Sequence, residues 1–144
     1  MGETLLKFSF TEFERDPSGR DLYAYLTVRA IAGEFRGQCK CVVVARDFEF
    51  FLSELDVLAA TSQGQAQLKA GWGHSESMQL TFAPHGSRGH IAVRVFLRDL
   101  YDPVSDLRFE GSFVTEPQPV ARFAANIRDA LRAEQRGDVE LYVR

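Results

Sequence analysis

The sequence is poor in cysteine, with Cys39 and Cys41 as the only two among 144 residues. They lie two residues apart in a segment that alternates like a β-strand, so their side chains are parallel and poorly placed to bridge each other. The chain therefore lacks the disulfide framework typical of small secreted domains. Its first residues also lack the basic segment and apolar run of a secretory signal. These absences predict a protein of the reducing cytoplasm.

The chain also lacks a strong excess of either charge and any long apolar run. Its formal net charge is −3, which gives no sign of the basic patch that binds nucleic acids or anionic membrane surfaces. No stretch approaches the roughly 20 apolar residues that cross a bilayer as a helix. We therefore expect neither a nucleic acid nor a membrane as partner.

Phenylalanine, in contrast, is abundant, at 12 of 144 residues. Because its ring has no polar tip, most of these side chains are expected in a hydrophobic core. Hydrophobic residues make up 45% of the chain, close to the average for globular proteins, and no linker-like segment divides it. The sequence predicts a single domain over residues 1–144.

A strand followed by an amphipathic helix is the strongest pattern, and it occurs twice. In the first unit the Glu34–Ala45 segment alternates apolar and polar residues, and Asp47 is placed to cap a helix. In the second unit Leu107–Val114 alternates and Pro119 suits a first helical turn. The apolar stripes of the two helices are Phe48, Phe51, Leu55 and Leu58, and then Val120, Phe123, Ile127 and Leu131.

Five further segments alternate with the period of two that is typical of strands. They cover Leu6–Phe10, Leu22–Ala30, Ala66–Ala70, Met78–Phe82 and Ile91–Leu97. Because each helix has one apolar stripe to bury, we predict an α+β fold, a mainly antiparallel sheet of about seven strands with two amphipathic helices on one face. A sandwich with peripheral helices is the alternative. Val139–Val143 fits either a short edge strand or a loosely tied tail.

Three groups of polar residues resemble known sites, and each lacks a required part. They are His74, His85 and His90, then Asp99, Asp102 and Asp106, and the segment Gly73-His74-Ser75-Glu76-Ser77. The histidine spacing matches no common zinc pattern, and the aspartates lack the central glycine of a calcium loop. The third begins like a nucleophile elbow but has neither its closing glycine nor its following helix. We therefore predict no catalytic residue, no metal site, no cofactor and no enzymatic activity.

The predicted outward strand faces are more informative, because they interleave Tyr and Arg with apolar residues. That composition is typical of a contact surface, although an ordinary half-polar sheet face has it too. If the alternation holds, one sheet face carries the residues of this candidate contact surface, which are Tyr23, Tyr25, Arg29, Arg94, Phe96 and Arg98. Its partner would be another protein or a second copy of the chain.

The core pattern also resembles a known group of proteins. It consists of Phe35-x-Gly37, the Phe48/Phe51/Leu55 helix, Gly89-His90-Ile91-x-Val93 and Phe109-x-Gly111. This pattern is similar to that of small bacterial immunity proteins of the WapI type and of neighbouring families of unknown function. The resemblance implies a cytoplasmic bacterial protein that neutralises a partner toxin by binding it, and it supplies no matched functional residue. The alternative hypothesis is a carrier of a small or lipid-like molecule, with an apolar cavity between sheet and helices.

Overall fold

The first sheet is assembled from both ends of the chain. The structure is a computed structural model that describes residues 4–72, 75–98 and 108–143. Strands β1 (Thr4–Arg15), β2 (Leu22–Ala32) and β3 (Phe35–Val44) form an antiparallel meander. The last strand, β8 (Gly137–Val143), pairs with β1, which gives the order β3-β2-β1-β8. We call these four strands sheet A.

The second sheet comes from the middle of the chain. Strands β4 (Ala66–Trp72), β5 (Ser75–His85), β6 (His90–Arg98) and β7 (Arg108–Thr115) pair in sequence order, each antiparallel to the next. The β5–β6 hairpin closes with His85 opposite His90. We call these four strands sheet B.

Helix α1 (Ala45–Thr61) follows β3 in the chain, and helix α2 (Pro117–Ala133) follows β7. The predicted stripes of both helices are buried. The predicted cap at Asp47 is wrong, because α1 already begins at Ala45 and Val44 occupies the cap position without a side-chain hydrogen bond. Asp47 lies instead in the first turn, where its negative charge favours the positive end of the helix dipole.

One hydrophobic core joins both sheets and both helices. The ring of Phe8 on β1 lies 6.1 Å from Phe48 on α1 and 5.2 Å from Phe123 on α2, measured between centroids. Phe51 of α1 reaches the other sheet, 5.7 Å from Phe82 on β5. Edge and tilted ring contacts at such distances add to the stabilisation from burial. The helices therefore pack on the inward faces of the sheets.

These observations confirm the α+β class, with eight strands and two helices in the described residues where about seven strands were expected. The strands are divided between two antiparallel sheets. The segment left open at the C-terminal end is a strand, in which Val139 and Leu141 are buried. By pairing with β1, strand β8 covers the edge of the β1–β2 hairpin that β3 leaves open.

A glycine allows the two sheets to approach closely where β3 crosses sheet B. This edge strand lies against all four strands of the other sheet. At Gly37 a Cβ atom would lie only 2.3 Å from the Cβ of Phe109 on β7. The absence of a side chain at Gly37 therefore gives Phe109 room to pack on the β3 backbone.

Candidate functional site

The structure divides the candidate contact surface between the two sheets. Tyr23, Tyr25 and Arg29 lie on the outward face of β2 in sheet A, whereas Arg94, Phe96 and Arg98 lie on the outward face of β6 in sheet B. Each alternation was read correctly, since the intervening residues of both strands are buried. The prediction that all six share one sheet face is wrong, because β2 pairs with β1 and β3 while β6 pairs with β5 and β7.

Several polar groups on the outward face of sheet A are already paired with one another. The Tyr25 hydroxyl donates to Glu14 Oε2 at 2.9 Å, and Arg29 Nε donates to Gln38 Oε1 at 3.0 Å. The ammonium of Lys7 lies 3.6 Å from Asp138 Oδ2. A partner that used these groups would have to compete with contacts that the chain already makes.

The outward face of sheet B is different, because it forms an open depression of about 700 Å³. We define the β4–β7 face as the outward side chains that line this depression, Gln67, Gln79, Thr81, Arg94, Phe96, Glu110 and Ser112. Two cross-strand rows build it. Thr81, Arg94 and Ser112 are direct neighbours across β5, β6 and β7. Gln79, Phe96 and Glu110 form the adjacent row.

Two opposite charges on this face form no salt bridge with any residue that the structure describes. They belong to Arg94 and Glu110, which are both exposed. Arg94 lies two residues before the half-buried Phe96 on β6, and Glu110 lies directly opposite Phe96 on β7. Amides at Gln67 and Gln79 add both hydrogen-bond donors and acceptors. The face therefore offers both charges and an aromatic surface on a rigid support, which suits recognition.

Of the predicted contact residues, Arg94 and Phe96 line this depression and Arg98 does not. Gln79, Thr81, Glu110 and Ser112 also line the depression and were not predicted. The sequence pattern does place them on this face, because each alternates with inward residues of a predicted strand. The prediction was limited to Tyr, Arg and Phe, whereas the depression is lined mainly by amide and hydroxyl side chains.

Of the histidines considered for metal binding, His85 and His90 face each other at the end of the β5–β6 hairpin. No group of three or more His, Cys, Asp or Glu residues is placed there to hold a metal ion. His74 and the aspartates Asp99, Asp102 and Asp106 lie outside the described residues, as does part of the Gly73–Ser77 segment.

Cys39 and Cys41 point into the core as predicted, and both thiols are free and buried. A hydrogen bond with Cys39 raises the pKa of the Cys41 thiol well above its usual value, and burial raises it further. Both effects favour the neutral form. Because the thiolate is the reactive species, these cysteines have the properties of core residues and not of nucleophiles.

Comparison with known proteins adds no relative. No protein-family model, no curated protein and no solved structure matches the chain. The likeness to immunity proteins of the WapI type is therefore untested and stays a prediction. Among the described helices, neither has the length and apolar character needed to span a bilayer.

Proposed function

We propose that this protein is a cytoplasmic protein-binding module of the immunity type, which neutralises a partner toxin by binding it through the β4–β7 face. The observation that carries the proposal is the pair of exposed charges, Arg94 and Glu110, which form no salt bridge with any described residue and lie beside Phe96 on the outward face of sheet B. Aromatic and arginine side chains are the residue types that most often dominate the energy of protein interfaces.

The support under these residues also favours binding. Their strands are held by continuous antiparallel pairing from β4 to β7, and the opposite face of the sheet is buried in the core. The backbone that carries these side chains is fixed before a partner arrives, so no backbone entropy has to be lost on association. Charges of both signs also select the orientation of a partner, because like charges brought together repel.

A carrier function has less support. The carrier hypothesis places an apolar cavity between sheet and helices, and in this region the rings of Phe8, Phe48 and Phe123 pack against one another. All three side chains are fully buried. A ligand in this space would have to displace well-packed rings, which is costly in a close-packed core.

Co-expression with a toxin encoded by a neighbouring gene tests the proposal. We expect the wild-type protein to restore growth and to co-purify with the toxin as a complex of defined mass in size-exclusion chromatography with light scattering. Arg94→Glu combined with Phe96→Ala should abolish both effects while leaving the protein folded, because both positions are at least partly exposed.

Arg122→Glu is the matched control, because it reverses one exposed charge on α2 and leaves sheet B unchanged. This variant should protect as well as the wild type. Full protection by the double variant would place the binding surface elsewhere. A wild-type protein that neither protects nor binds any neighbouring gene product would contradict the immunity function itself.

A further inference from the structure

Two histidines lie side by side at the end of the β5–β6 hairpin, where His85 on β5 pairs directly with His90 on β6. We call them the histidine pair. Directly paired residues of an antiparallel sheet project to the same side, with their Cβ atoms about 4.5–5.5 Å apart. Ile91, the next residue of β6, is fully buried, so alternation places both imidazoles on the outward side of sheet B.

The backbone beneath the histidine pair is held in place. The turn that joins the two strands begins with Gly86 and ends with Gly89, whose φ angles of 70° and 80° glycine adopts without strain. Phe82 on β5 and Ile91 on β6 are fully buried and anchor the two strands in the core. On its other side Ile91 pairs with Thr115 of β7. The fold therefore sets the spacing of the two histidines before any ligand binds.

Both imidazoles are accessible to a ligand. His85 is exposed and His90 is half-buried, and neither side chain makes a hydrogen bond or an ion pair with any residue that the structure describes. A neutral imidazole has one ring nitrogen that can bind a metal ion, and imidazole suits Cu²⁺, Ni²⁺ and Zn²⁺. Two nitrogens that each lie about 2.0–2.1 Å from one ion are roughly 3 Å apart. Imidazole rings on paired neighbouring residues can reach that separation.

We infer that the histidine pair binds one divalent late transition-metal ion, Cu²⁺ most tightly, as a chelate of two imidazoles. In the described part of the chain no group of three His, Cys, Asp or Glu residues is placed to hold a metal, so water fills the remaining coordination positions. The sequence analysis predicted no metal site because it considered the spacing of histidines along the chain, whereas strand register brings these two together. The inference does not depend on toxin binding, since neither histidine lines the depression of the β4–β7 face.

Isothermal titration calorimetry with Cu²⁺, Ni²⁺, Zn²⁺ and Mg²⁺ tests the inference at neutral pH. We expect a tightest step of one Cu²⁺ per chain, weaker binding of Ni²⁺ and Zn²⁺, and no binding of Mg²⁺, which prefers oxygen ligands. In NMR spectra, substoichiometric Cu²⁺ should first broaden the amide signals of residues 85–91, because a paramagnetic ion relaxes the nearest nuclei most. Broadening centred outside the end of this hairpin, or binding of Mg²⁺ as tight as that of Cu²⁺, would overturn the inference.

Single substitutions distinguish a shared site from two independent histidines. His85→Ala and His90→Ala should each weaken Cu²⁺ binding at least about tenfold, because one bound imidazole holds the other at a high effective concentration. The double variant should lose little more, since either change already removes the chelate. Ser87→Ala changes the turn between the two histidines, and as the matched control it should bind Cu²⁺ like the wild type. Independent histidines would leave each single variant with one site of unchanged affinity, and that result, or tight binding by the double variant, would refute the shared site.

Discussion

Replacing Gly37 with alanine tests the close approach of β3 to Phe109 on β7. The new Cβ would lie 2.3 Å from Phe109 Cβ, 2.5 Å from its Cγ and 2.9 Å from its Cδ2. Overpacking in cores typically costs about 1–3 kcal/mol, and the closest atom here is next to the backbone and has little freedom to move. Loss of glycine flexibility in the unfolded chain offsets about 0.4–1 kcal/mol. We therefore expect Gly37→Ala to lower the free energy of unfolding by about 1–2 kcal/mol.

Urea unfolding of Gly37→Ala in three backgrounds isolates the contact. Phe109→Ala removes Cγ and Cδ2 but keeps the Cβ at 2.3 Å, so it should relieve only part of the cost. Phe109→Gly removes the Cβ as well, and there the alanine should become neutral or slightly stabilising. The effect of Gly37→Ala should thus decrease stepwise from wild type to Phe109→Ala to Phe109→Gly. An equal cost in all three backgrounds would refute the assigned contact.

Three further predictions concern the core and a surface turn. Phe51→Ala should destabilise the protein by about 3–5 kcal/mol, since Phe51 is fully buried against Phe82. An unchanged urea midpoint would contradict the packing of this face of α1 in the core. The thiols of Cys39 and Cys41 should react slowly with a thiol reagent at pH 8 and rapidly in urea, because burial and the raised pKa of Cys41 suppress the thiolate; fast labelling of the native protein would contradict this. A hydrogen bond from Ser18 lowers the pKa of Asp16. The stabilisation of the folded protein by ionised Asp16 is therefore present above the unfolded-state pKa of this carboxyl group, and it is lost as the pH falls through the folded-state pKa. Asp16→Asn should therefore be less stable than wild type at neutral pH, with a gap that closes below about pH 4; a gap that persists in acid would count against this hydrogen bond.

Much of the fold could be predicted because period-two and helical patterns record which side of an element is buried. Leu6, Phe8 and Phe10 on β1 are all buried as their alternation indicates, and the stripe of α2 is buried as its spacing indicates. Alternation does not record which strands pair, however. The alternation therefore could not show that β3 and β4, the strands before and after α1, belong to different sheets. Nor could it show that β8 pairs with β1.

The candidate site was predicted only in part for the same reason. Arg94 and Phe96 were placed on an outward face correctly, but their neighbours depend on strand order, which brings Glu110 and Ser112 beside them from β7. The contact of β3 with sheet B was not predicted at all. It depends on the missing side chain at Gly37, which gives Phe109 of β7 room to pack on the β3 backbone.

Hydrogen–deuterium exchange of the protein with and without the proposed toxin partner tests the central claim most directly. If the β4–β7 face binds the partner, backbone amides of β5, β6 and β7 around Gln79, Phe96 and Glu110 should gain protection, while those around Tyr25 on sheet A should stay unchanged. The Arg94→Glu, Phe96→Ala double variant should show no gain at either surface. Protection confined to sheet A or to the helices, with β5–β7 unaffected, would contradict the claim.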